Sequence, residues 1–192
     1  MKKTFVAVVV GLLILAGIVF YIYGGKWSST AQPNYAAEAT NTPAVEVAAS
    51  TLQTRTAPAG QKEYANTTYQ FSVFYPDNLA VTEYKEASNG HTISFESADG
   101  TQGFQIYVIP YAHTQIAESQ ILLDTHGTAT TTPQEIVLSN GTNALAFWSN
   151  GGVLGEMREV WFLHGGYLYE VTAYASLDSW LAGIMQTLEF TK

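Results

Sequence analysis

The chain has 192 residues, 47% of them hydrophobic and only 12% charged, with no cysteine and a formal net charge of −8. That length suits one domain with accessory segments, and the missing cysteines exclude disulfide scaffolds, thiolate zinc and iron–sulfur sites, thiol nucleophiles and a lipidated cysteine. The acid excess argues against nucleic acid as a partner, since phosphate recognition needs a basic surface to displace counterions.

In chain order, Lys2 and Lys3 precede an uncharged apolar run from Phe5 to Tyr23. As a helix this run spans about 28 Å, close to the hydrocarbon thickness of a bilayer. Tyr21, Tyr23 and Trp27 close it with interfacial aromatics. Residues 1–25 therefore read as a single-pass membrane anchor with a cytoplasmic N-terminus, which places everything beyond Lys26 outside the cytoplasm. A cleaved signal peptide is the alternative, with small residues at Ser29-Thr30-Ala31, although its apolar core would be unusually long. Residues 26–63 hold nine Ala, six Thr, three Ser and three Pro but few large aliphatics. They read as a flexible tether.

From Tyr64 the composition changes: residues 64–192 carry 19 of the 25 aromatics, and three cations against 13 acids, a net charge of −10. Tyr69–Tyr75 alternates as a strand and stops at Pro76-Asp77-Asn78. A hairpin through Asn89-Gly90 follows, read with a two-residue loop that sets Tyr84 against Phe95 and Glu83 against Glu96. Gly103–Ile109 is a further strand, and Ile116–Leu123 a short helix with Ile116, Ala117, Ile121 and Leu123 on one stripe. A second hairpin turns at Asn140-Gly141. A third turns at Gly165-Gly166, pairs His164 with Tyr167, and puts Val160, Phe162, Tyr169 and Val171 on one face with Trp161, Leu163 and Leu168 on the other. With apolar side chains on both faces, this hairpin should be covered on both sides. A closing helix runs from Leu177 to Thr187, with Ser176 as its N-cap. The expected fold is α+β, an antiparallel sheet of six to eight strands with helices packed on it.

Two segments carry a resemblance. Tyr69–Leu79 (YQFSVFYPDNL) and Tyr167–Phe190 (YLYEVTAYASLDSWLAGIMQTLEF) resemble the opening strand and the closing strand and helix of PsbP-like domains. Leu79 stands where that group usually has Trp. The resemblance implies an α/β/α sandwich, a central antiparallel sheet with helices on both faces, and a binding or assembly role rather than catalysis. No binding residue of that group transfers to a numbered position here.

Stock catalytic motifs are absent from the sequence: no G-x-S-x-G, P-loop, G-x-G-x-x-G, H-E-x-x-H or EF-hand loop occurs. Glycines at 151, 152 and 155 join two strands and lack the helix N-terminus that a phosphate site needs. Weaker constellations remain. Glu83 facing Glu96 would share a proton or a cation, or be screened by Lys85 and solvent. His113, Asp124 and His126 offer ligands for a divalent metal, against a plain loop-surface role. Tyr111 and Trp148, beside loops, are aromatics to test for exposure in a ligand groove, whereas most others should be core. The expected function is a membrane-tethered, non-catalytic interaction module contacting an envelope protein, with no cofactor predicted. A metal- or small-ligand-binding domain is the alternative, and a cell-envelope hydrolase using paired carboxylates a third reading.

Overall fold

Ten strands and two short helices make up the chain described by the computed structural model, which covers residues 55–86 and 89–191. The expected anchor at 1–25 and most of the expected tether lie outside these residues. Among the described residues, no helix is long and apolar enough to cross a membrane.

The strands are β1 (Gln61–Asn66), β2 (Phe71–Pro76), β3 (Leu79–Lys85), β4 (His91–Ser97) and β5 (Gly103–Pro110), followed by helix α1 (Glu118–Asp124). Then come β6 (Gln134–Val137), β7 (Asn143–Asn150), β8 (Glu156–His164), β9 (Tyr167–Tyr174), helix α2 (Asp178–Met185) and β10 (Glu189–Phe190). Seven strands form one antiparallel sheet in the order β3-β4-β5-β9-β8-β7-β6, and β1-β2-β10 form a second. β1 begins three residues before the composition change at Tyr64. Its start is held by Arg55, whose guanidinium contacts Glu63 at 3.1 Å and Glu189 at 2.9 Å, donates to the Thr187 carbonyl and lies over the Phe74 ring.

Alternation along the strands builds two cores, one on each face of the large sheet. Phe71, Val73, Ile93, Phe95, Ile106, Phe162, Tyr169 and Val171 are fully or almost fully buried in the first, together with Leu181, Ile184, Met185 and Leu188 from around α2. The second is smaller: Phe147, Trp161 and Leu168 with Tyr111 and with Ile121 of α1. The central hairpin follows the sequence reading residue for residue. His164 pairs with Tyr167, and both turn glycines have positive φ, 57° and 83°, as a two-residue turn of this hand requires. Helices do lie on the two faces, α1 on one and α2 on the other. The sandwich expectation needs correcting in one respect, because the second sheet shares the α2 face and its residues fill much of the first core.

The Asn89-Gly90 hairpin also differs from expectation. The Glu86 amide donates to the Gly90 carbonyl at 2.8 Å and Lys85 pairs with His91, so the turn is not the two-residue Asn89-Gly90 loop, and among its described residues Asn89, at φ 64°, is left-handed. Glu83 consequently lies opposite Ile93, and Glu96 opposite Ala80. The predicted Glu83–Glu96 pair does not form. The shift is odd, so Tyr84 turns away from the first core and is 38% exposed. Gly90 answers a steric demand instead, since a β-carbon there would overlap the ring and hydroxyl of Tyr107. Gly90→Ala is therefore expected to cost about 1–3 kcal/mol by overpacking, read by urea denaturation. Unchanged stability would show that the Tyr107 ring swings aside at no cost.

Both helices are shorter than their sequence patterns. In α1 only Ile121 is buried, while Leu122 and Leu123 are 52% and 67% exposed, so Leu123 does not join the predicted stripe. A helix of two turns meets the sheet along a single line, which Ile121 occupies. Ser176 falls in a 3-10 turn over Ala175–Leu177, and α2 has no side-chain N-cap. Asp178 in its first turn instead binds Arg158 at 3.0 Å.

Candidate functional site

Between the turn that joins β1 to β2 and strands β3, β4 and β9 lies a corner of aromatic and polar groups. Its geometry begins with Asn66 at the end of β1. The Asn66 side-chain oxygen accepts the Thr68 and Tyr69 amides at 3.0 Å each, folding the chain into the turn before β2. The Tyr169 hydroxyl donates to the Tyr69 carbonyl at 2.7 Å, so the backbone of Tyr69 is pinned from both sides. The Tyr69 ring meets Tyr167 edge-on at 5.1 Å and His91 edge-on at 5.4 Å. His91 Nε2 lies 2.9 Å from a Glu83 oxygen, and the Tyr64 hydroxyl donates to the other at 2.9 Å. Desolvation raises the Tyr69 phenol pKa above its ordinary value, and Tyr167 and the Glu83 charge raise it further. Burial lifts that of Tyr64 still more.

Glu83, one of the sequence candidates, thus belongs to a site, though with His91 and Tyr64 rather than Glu96. The other candidates disperse. Tyr111 is buried, 8% exposed, and its hydroxyl accepts the Ala117 amide just before α1, so it serves the helix rather than a ligand groove. Trp148 is half-buried with the Arg158 guanidinium over its ring at 4.7 Å. His113 packs edge-on against Tyr111. His126 stands in the left-handed region at φ 53° in the loop after α1. Asp124 accepts a hydrogen bond from Gln120 and faces Glu170. Among the described residues, no three His, Cys, Asp or Glu side chains are grouped so as to hold a metal ion.

Asp124 leads to a second polar cluster, under α1 on the opposite face. Glu170 of β9 is 8% exposed. Burial pushes its carboxyl pKa up to about 10, helped by a hydrogen bond to Asp124 and by the charges of Asp124 and Glu159. One Glu170 oxygen is buried without a hydrogen-bond partner. Glu159 of β8, 6% exposed, is served differently. It accepts from Ser149 at 2.7 Å, Thr172 at 2.7 Å and Trp161 Nε1 at 3.1 Å. Neither glutamate is among the sequence candidates. The signal is present all the same, because the alternation that puts Trp161, Leu163 and Leu168 on a covered face puts Glu159 and Glu170 there too.

A third feature is a groove of about 190 Å³ between β6 and α2, lined by Ile136, Val137, Leu138, Val160, Leu181 and Met185 among others. β6 is the last strand of the large sheet, and among the described residues nothing pairs with its outer edge. The neighbouring stretch of β7 is covered, since residues 128–131 hydrogen-bond along Trp148–Asn150. Val137 at the groove is 69% exposed, and Val153 in the β7–β8 connection 89%.

No protein-family model matches the chain, and no curated protein matches it. Among solved structures, the solution structure of cyanobacterial PsbP (CyanoP) from Synechocystis sp. PCC 6803 is similar to it. The TM-score is 0.48 with 9% sequence identity, and the match covers 70% of this chain and 94% of that one.

Proposed function

We propose that the chain is a non-catalytic binding module, held at the outer face of a membrane by its N-terminal segment, that engages a protein of the cell envelope. The observation that carries this reading is the groove beside β6. An unpaired strand edge next to an apolar channel is the arrangement that accepts an extended segment of another protein, with main-chain hydrogen bonds supplying affinity and the channel selecting side chains. The edge is only four residues long and carries Glu135, which limits indiscriminate pairing between copies. Leu122 and Leu123 add exposed apolar surface elsewhere.

A photo-crosslinking residue at Val137 of the full-length chain, expressed in its own cells, tests this. The expected result is a discrete adduct that falls at least about tenfold when Ala182→Glu, at an exposed position on the α2 wall, charges the groove, while the melting temperature stays within a few degrees. Absence of any adduct, or reproducible turnover of a substrate abolished by one carboxylate substitution, would overturn the reading.

A further inference from the structure

The corner beside the β1–β2 turn has a chemistry of its own. Tyr69 and Tyr167 stand with their ring planes at 84° and centroids 5.1 Å apart, and Tyr69 meets His91 at 87°. Perpendicular rings offer one aromatic face beside the edge of another, and the negative face of a tyrosine attracts a cation held within about 6 Å of its centroid. The Glu83 carboxylate, 45% exposed and with an oxygen 2.9 Å from His91 Nε2, supplies an acidic group at the rim. The corner is built rather than incidental. Asn66 and the Tyr169 hydroxyl fix the Tyr69 backbone, and Tyr64 fixes the Glu83 carboxylate.

Charge points to the occupant. The described residues include four Lys and Arg side chains. Arg55 is bound to Glu63 and Glu189, Arg158 to Asp178, and Lys62 to the Asp77 carbonyl. Lys85, two residues beyond Glu83, makes no ion pair among the described residues. Residues 64–192 as a whole carry three cations against 13 acids. Such a surface draws basic partners and repels acidic ones.

We infer that the corner formed by Tyr69, Tyr167 and Glu83 is a binding site for a lysine side chain presented by a basic segment of a protein partner. This deepens the binding-module reading at a surface separate from the groove. A failure here leaves the Val137 crosslinking result untouched, and the reverse also holds.

The test uses the full-length chain in a nonionic detergent, with tetralysine as probe, and follows the tyrosine ring resonances. The expected result is saturable, selective movement of the Tyr69 and Tyr167 signals at about 0.15 M salt, where diffuse surface attraction is largely screened. Two variants report on the site. Glu83→Gln keeps the shape and the acceptor for Tyr64, and Tyr69→Leu keeps the bulk but removes the aromatic face. Each should weaken tetralysine about five- to tenfold while the melting temperature stays within a few degrees. Equal affinity in the wild type and both variants would assign the binding to the diffuse acidic surface and overturn the site. Absence of ring movement at saturation would also overturn it. Tetramethylammonium binding as tightly as tetralysine would overturn the lysine assignment in favour of a quaternary ammonium ligand.

Discussion

Glu170→Gln should make the protein more stable, by about 3 kcal/mol at pH 7. The wild-type carboxyl must carry a proton in the folded state, where its pKa is about 10, against 4.5 as its ordinary value. The folded chain therefore holds a proton that the unfolded chain releases above pH 4.5. Stability from this group is fully present below pH 4.5 and is lost as pH rises toward 10, at about 1.4 kcal/mol per unit. A glutamine needs no proton, and its amide can still donate to Asp124. The gap between variant and wild type should be near zero at about pH 4, about 3 kcal/mol at pH 7 and wider at about pH 9. Urea unfolding across that range measures it, as a midpoint shift of roughly 1–3 M at pH 7. Parallel pH profiles for the two proteins would show that Glu170 is not held neutral. Set against a total stability of about 5–15 kcal/mol, the natural acid is an expensive choice.

Glu159→Ala should do the opposite and cost about 3–5 kcal/mol. The two glutamates share one sheet face on adjacent strands, but Glu159 is the common acceptor for Ser149, Thr172 and Trp161. Truncation strands three donors, two of them closed to solvent, since Ser149 and Trp161 are 5% and 1% exposed. Glu159→Gln should cost less, because one oxygen remains while the amide nitrogen faces donors. Replacing Ser149 by Ala and Thr172 by Val in the Glu159→Ala background should recover part of the loss. A thermodynamic cycle in which these changes simply add would refute the shared-acceptor arrangement.

The central hairpin is legible in the sequence because every constraint on it is local: two glycines set the turn, the turn sets the register, and alternation sorts the faces. The Asn89-Gly90 hairpin is not, because Gly90 is required by Tyr107, a residue on another strand that no local rule anticipates. The same limit hides the sites. Glu83 stands out along the chain, but its true neighbours His91, Tyr64 and Tyr69 meet only after two sheets pack. Asp124 stands out as a possible ligand, while Glu170 beneath it passes as one charge in a covered strand. Helical periodicity places Leu123 in the core, and the brevity of α1 leaves both it and Leu122 in solvent.

The contacts of Arg55 bear on how the domain withstands force. Arg55 is the first of the described residues, and a pull applied there acts on three strands at once. Its guanidinium bonds to β1 through Glu63, to β10 through Glu189, and lies on Phe74 of β2. Those are the two outer strands and the middle strand of the small sheet. Tension applied at Arg55 is therefore divided among all three strands instead of peeling β1 away one hydrogen bond at a time.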